Sequence, residues 1–459
     1  MLENSRTSAN PPDPRELYAL IEALYPICRS ITGQGVRETL AILGRHLPTS
    51  AAHSLAIHEV ASGTQVLDWV VPKEWNIRDA YVADASGRRV IDFRANNLHV
   101  LNYSTPVRTR MPLSKLRERL SSLPEQPDLI PYRTSYYSET WGFCLSHNHL
   151  LSLPEGEYEV CIDSTLEPGH LTYGELVLPG ETEDEILVSA HICHPSLADD
   201  NLSGVAVATF LAREFAARSR RRHTLRFLFA PGTIGAITWL AQNRERARRI
   251  RHGITLTCLG DAHQFTYKKT VFGGTEVDRV AAHVLANSGL AHQVIDFFPY
   301  GYDERQYNSP GFRLPVGSLM RGRHGQFSQY HTSADNLSFI EPERLGESLR
   351  VLTDIVSALE GNETYLNLAP HGEPQLGSRG LYRALGGTSI ADMQLALLWV
   401  LNLSDARHSL LDIAERARMP FSTIRTAADL LLQNGLLSPQ PTPKSDQNVA
   451  REREKETTQ

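Results

Sequence analysis

The sequence predicts an α/β protein with a β-rich insertion ahead of its main sheet and a small helical module behind it. Three observations predict this. Buried-strand runs such as EILVSA (Glu185–Ala190) lead into helical apolar patterns such as Val205–Phe215. Short alternating runs broken by Pro, Gly and Asn fill residues 53–164. Three helical patterns follow one another closely after Gly377.

In chain order, Pro14–Arg29 and Val36–Leu47 carry apolar residues at helical spacing (Leu17, Ile21, Leu24; Val36, Leu40, Leu43, Leu47), so two helices are expected to pack on the main sheet. The runs TQVLDWVV, AYVAD, RRVIDF, NNLHVLNY and YEVCID then describe a β-rich module, assigned to residues 53–167. It precedes the chemistry-bearing strands, so it reads as an insertion into a discontinuous domain of residues 14–52 and 168–365. Inside it, Arg108–Leu120 is expected to be a short basic helix with a solvated face. Tyr132, Tyr136, Tyr137, Trp141 and Phe143 are expected in core packing rather than at a substrate mouth, since large aromatics are mostly buried. Arg218–Arg222 is read as a solvated loop rather than an anion site.

A helix over Glu341–Leu359 should close the α/β domain, and Gly361–Gly377 reads as a turn-rich linker. Helices expected over Ala391–Leu401, Ser409–Ala417 and Pro420–Asn434 give residues 370–438 the pattern of a winged helix, followed by a disordered tail over 439–459. A DNA reader needs a basic stripe for phosphates. Between Pro370 and Gln440 six Arg and Lys face six Asp and Glu, which favours a protein partner or self-association over nucleic acid.

Composition narrows the classes. The 459 residues are 41% hydrophobic and 21% charged with a net charge of −6, as in a globular chain of several domains without general attraction for nucleic acid or anionic membrane. Five scattered cysteines without CxxC spacing point to reduced thiols, and no apolar run resembles a secretory signal or membrane span, so a cytoplasmic setting is expected.

The chemistry concentrates in HICHPSLADDNLSG. His191 stands at the C-terminal end of an apolar strand, the edge of an α/β sheet where ligands bind. Nine residues later Asp199, Asp200 and Asn201 open a helix. Capping alone would explain an isolated acidic turn. The strand-terminal imidazole changes the reading, because imidazole with carboxylate is a zinc ligand set. In the loop Gly301–Gly311, Asp303 and Glu304 are packed beside Arg305 and two tyrosines; either is a candidate base, or an internal ion pair with Arg305 holds the loop.

This order of motifs resembles the di-zinc aminopeptidase superfamily, a mixed sheet sandwiched by helices in three αβα layers. The resemblance implies His191 as first ligand, Asp200 as bridging carboxylate, Asp261 at the end of ITLTCLGD as a later ligand, and His331 in YHTSADN as the final one. Two departures stand out. Cys193 replaces the Asp that orients the first His, and Gly232 and Thr233 occupy the positions of a Glu-Glu pair that supplies a general base and a zinc ligand. One zinc site is therefore expected, from His191, Asp200 and Asp261 or with His331 substituting. More narrowly, LYPICRSITGQGVRETL, VPKEWNIRDAY, NNLHVLNYS, IPYRTSYYSETWGFC and LLDIAERA resemble a bacterial family of aminopeptidase-like domains with a C-terminal winged helix. The resemblance implies a zinc-dependent aminopeptidase-like hydrolase acting on a peptide or amino-acyl amide with a non-standard base. The missing Glu pair keeps a zinc-containing peptide-binding scaffold open, and the winged helix keeps a metal-linked DNA-binding regulator open.

Overall fold

The computed structural model describes residues 12–47, 54–381 and 390–440. The tail expected to be disordered lies outside these from residue 441 onward, while Pro439 and Gln440 belong to a strand, Leu437–Gln440. The chain forms two compact units, one built from residues up to Asp278 with Leu290–Thr353, the other from Arg279–Gly289 with the residues from Asp354 on.

The first unit is organised by an eight-stranded mixed sheet. Its strands are β1 (Ala56–Ala61), β2 (His170–Leu178), β3 (Glu185–His191), β4 (Thr224–Ala230), β5 (Ile250–Leu256), β6 (Phe265–Lys268), β7 (His292–Ile295) and β8 (Val316–Met320). They lie in the order β1-β2-β4-β3-β5-β8-β6-β7. β3 runs parallel to β4 and β5 on either side, and all seven of its residues are buried. That is why its sequence is a continuous apolar run rather than an alternating one. The helix Gly204–Ala216 packs on β3, β4 and β5, and Pro14–Leu24 packs on that helix in turn. Leu187, Leu228 and Ala230 of the sheet share a core with Ile234, Ile237 and Trp239 of the helix Ile234–Gln242, which completes the three-layer arrangement.

The insertion differs from its expected limits at both levels of structure. β1, within the span read as insertion, instead pairs antiparallel with β2 from Ala56↔Glu175 to Ala61↔His170 and so joins the edge of the large sheet. The insertion's own antiparallel sheet has the order Arg89–Asp92, Glu74–Ala83, Glu157–Glu167, Val107–Pro112. Residues 107–112 are thus a strand, not the start of a basic helix. Arg108 and Arg110 are exposed on alternate positions, as an edge strand with one solvated face requires, and only Leu113–Leu116 makes an α-turn after Pro112.

In the second unit the helices Ile390–Leu403, Leu410–Ala417 and Phe421–Gln433 accompany a three-stranded antiparallel sheet, Asp405–Ser409, Thr364–Asn367 and Leu437–Gln440 in spatial order. This is a winged helix. The segment read as a linker holds its central strand, which four apolar and polar residues between turns did not announce. Ser409 and Asp412 form a reciprocal capping box at the second helix. Arg425, the basic residue of the third helix, is held by Glu363 at 2.5 Å and Asp429 at 2.7 Å, so its guanidinium is already engaged. No described helix is long and apolar enough to cross a membrane. The five cysteines form no disulfide.

Candidate metal centre

Parallel pairing carries β3 to its end at His191, opposite Ala230, and the chain then turns through Cys193 and His194 before entering the acidic turn. Asp200 stands at the middle of a cluster of imidazoles. Its Oδ1 lies 2.9 Å from His191 Nε2, while its Oδ2 lies 3.0 Å from His331 Nε2 and 3.5 Å from His194 Nε2. Three imidazoles from two distant parts of the chain therefore surround one fully buried carboxylate. Among the described residues, ligand atoms of His191, His194 and Asp200 lie within 4.8 Å of one another.

The electrostatics suit a cation. Burial tends to raise the Asp200 carboxyl, but His194, His191 and His331 hold it well below the usual range. Burial keeps the His194 imidazole well below its usual range and hence neutral, the form that ligates metal. His194 Nδ1 faces Cys193 Sγ at 3.2 Å, and its buried Nε2 has no hydrogen-bond partner. A buried ring nitrogen without a partner is costly unless something else satisfies it. Imidazole and carboxylate donors fit zinc.

A supporting frame fixes this group. Asp335 accepts from the backbone N–H of Asp199 at 2.6 Å and of Asp200 at 3.0 Å, which pins the turn. Asn201 Nδ2 donates to the carbonyl of Leu256 at 2.9 Å and lies 3.2 Å from His191 Nδ1. Arg29, fully buried, donates from Nε to the His194 carbonyl at 3.0 Å. Tyr132 N–H donates to the His331 carbonyl at 2.8 Å, and the Tyr132 ring centroid stands 5.0 Å and 5.1 Å from those of His194 and His331. Tyr132 is buried as expected, yet it walls the centre, whereas Tyr137, expected in the same core packing, is exposed.

Of the sequence candidates, His191, Asp200 and His331 come together and Asp261 does not join them. Its Oδ1 accepts from His263 N–H at 2.6 Å and its Oδ2 from Gly322 N–H at 3.0 Å. The loop after β5 turns this carboxylate into a backbone clamp, and His194 stands in the group instead. Glu304 and Asp303 do not reach Asp200 either. Glu304 Oε1 is 2.5 Å from Lys268 Nζ, and both its oxygens accept from Tyr302 N–H, at 3.2 Å and 3.0 Å. Burial and then Glu304 push the Asp303 carboxyl well above its usual range, which favours its neutral form. The expected Arg305 partner is replaced by Lys268, a residue 36 positions away in sequence.

Sequence reasoning missed His194 as a member of the group, and it also missed Tyr302. Its ring stacks on His191 with centroids 3.7 Å apart, and its hydroxyl lies 3.3 Å from Cys193 Sγ. A Cβ placed on Gly232 would fall 1.9 Å from Tyr302 Cε1. The ring thus fills the space beside the first position of the absent Glu-Glu pair, and Gly232 is the residue that admits it. Gly232→Ala is expected to cost about 1–3 kcal/mol by overpacking, because the ring is wedged against His191. Urea denaturation of the variant checks this, and Gly232→Ala with Tyr302→Ala should recover part of the loss; an unchanged midpoint for Gly232→Ala would contradict it.

Residues 18–362 match the family described as Domain of unknown function (DUF4910), and residues 363–439 match a winged helix-turn-helix family. A Clostridium acetobutylicum protein provisionally named a polysaccharide biosynthesis protein with aminopeptidase-like domain is 51% identical over 423 residues, 92% of this chain and 96% of its own. A solved structure from Clostridium acetobutylicum, provisionally named a peptidase, is 50% identical with a TM-score of 0.87, covering 93% of this chain and 96% of that one. BSAP, a zinc aminopeptidase from Bacillus subtilis, shares the fold with a TM-score of 0.54 at 12% identity, over 76% of this chain and 96% of its own.

Proposed function

Because the chain belongs to the DUF4910 family, an aminopeptidase-like domain followed by a winged helix, we propose that it is a zinc-dependent hydrolase of a peptide or amino-acyl amide bond. One observation carries this reading: three imidazoles converge on buried Asp200 at the C-terminal edge of a parallel strand, one with an unsatisfied ring nitrogen. His191, His194 and Asp200 would hold the ion. Zinc bound there would polarise the amide carbonyl and acidify water.

The chain's own residues supply the rest. The side chain of His331 is 32% exposed, against 3% and 4% for His191 and His194, so it is the imidazole that meets substrate and solvent. With Glu304 bound to Lys268 and the His331 Nε2–H donated to the ionised Asp200, the remaining ring nitrogen of His331, Nδ1, is the proton acceptor that replaces the missing carboxylate base. Tyr302 fixes the plane of His191 and excludes water from its face. Its phenol, raised well above its ordinary range by burial and then by Cys193, remains a donor.

The test is metal analysis of the purified protein together with amine release from a panel of amino-acyl amides. About one zinc per chain with metal-dependent turnover is expected, and His331→Ala should keep zinc while losing turnover. Zinc loss in His331→Ala would return that residue to the ligand set. A second reading, a zinc-containing peptide-binding protein without turnover, draws on Tyr302 filling the space beside Gly232. Tight zinc and peptide binding with no amine release across the panel would favour it.

A further inference from the structure

A cavity of about 310 Å³ lies beside the metal centre, walled in part by Lys268, Phe298, Tyr300, Arg323 and His324. That volume is at the small end of ligand pockets, enough for one side chain or one terminal group but not for an extended polymer. Ring contacts link it to the centre. The His324 ring is 6.2 Å from that of Tyr302 and 6.0 Å from that of Tyr330, and these two stack on His191 at 3.7 Å and His331 at 4.0 Å. His324 thus lines the cavity, and the rings of Tyr302 and Tyr330 connect it to the imidazoles of the metal group.

Its charge follows from counting partners. Lys268 Nζ is consumed: it donates to Glu304 Oε1 at 2.5 Å, to the Tyr300 carbonyl at 2.9 Å and to the Phe298 carbonyl at 3.3 Å. Lys268 and Glu304 thus cancel. His324 is kept below its usual range by burial, and its Nε2 lies 3.3 Å from Thr257 Oγ1. Arg323 is different. It is half-buried, its guanidinium sits 5.9 Å from the Phe298 ring centroid, and no ion pair joins it to another described residue. A planar cation left over in a small aromatic cavity suits a carboxylate, which a guanidinium grips with two parallel hydrogen bonds.

We propose that this cavity is a specificity site in which Arg323 binds a carboxylate of the substrate, carried near the amide presented to the metal centre. The assignment rests on the reading of that centre as an amide-hydrolysing one. It names the substrate class as acidic amino-acyl or short peptide amides, with the carboxylate on either the side chain or the chain terminus.

Binding of two matched pairs to the full chain, followed by titration calorimetry, tests it without requiring turnover. Glutamic acid α-amide against glutaminamide reports a side-chain carboxylate; Ala-Ala against Ala-Ala amide reports a terminal one. The acid of at least one pair is expected to bind about tenfold or more tightly than its amide, the range of a charge-assisted pair. Arg323→Gln and Arg323→Ala should abolish that preference with their thermal midpoints unchanged. His191→Ala should retain it, because Arg323 lies outside the metal group. No acid preference in either pair, or a preference that survives both Arg323 variants, overturns the proposal. An Arg323-dependent preference in a protein that releases no amine leaves it standing and removes the hydrolase reading alone.

Discussion

His191→Ala protein, purified beside the parent chain and dialysed, is expected to lose essentially all of its bound zinc, while Asp261→Ala keeps it. The contrast separates two ligand sets that share His191 and Asp200. His191 is delivered by a strand buried along its whole length, its ring clamped between Tyr302 and the Asn201 amide, so its Nε2 is preorganised on Asp200. Losing residues that merely orient a ligand costs about 10–100-fold in metal affinity. Losing a ligand removes more, because the remaining His194 and Asp200 supply one imidazole and one carboxylate. Asp261 instead accepts backbone N–H groups of His263 and Gly322, so its removal should lower stability and leave the ion in place. Elemental analysis of both variants, with a chelator competition for the affinity, gives the answer. Zinc retained in His191→Ala, or lost in Asp261→Ala, would refute this ligand assignment.

The strand and the acidic turn were legible because they obey local rules: a continuous apolar run for a doubly covered strand, and carboxylates at a helix start. Helices at the two ends of the chain were legible for the same reason, through their 3.6-residue spacing. What escaped was set by partners far away in sequence. β1 looks like any short insertion strand until β2 pairs with it, and Arg108 and Arg110 look helical until Glu157–Glu167 supplies a neighbouring strand. The same holds at the centre. The sequence shows that Gly232 and Thr233 are not Glu, but only the fold shows Tyr302 occupying the space, and only the fold pairs Glu304 with Lys268 rather than with adjacent Arg305. His194 was visible beside Cys193 in HICH; the orphaned Nε2 is what selects it.

Lys268→Met is expected to destabilise the protein by about 3–5 kcal/mol, the cost of leaving one member of a buried ion pair without its partner. Both side chains are only 1% exposed, so water cannot take over from the ammonium group. Adding Glu304→Gln should restore much of the loss, because a neutral amide needs no counter-charge and can still accept from Tyr302 N–H. The consequence should reach the centre. Lys268 also gathers the carbonyls of Phe298 and Tyr300, and the backbone it holds leads directly into Tyr302, whose ring lies on His191. Zinc affinity is therefore expected to fall in Lys268→Met and to recover in part in the double variant, a pattern that denaturation and chelator competition can read separately. If Glu304 were instead the base, Glu304→Gln alone would abolish turnover with stability and zinc affinity untouched. The geometry predicts the opposite order of effects, since Glu304 faces a lysine and the backbone of its own loop rather than the open side of Asp200.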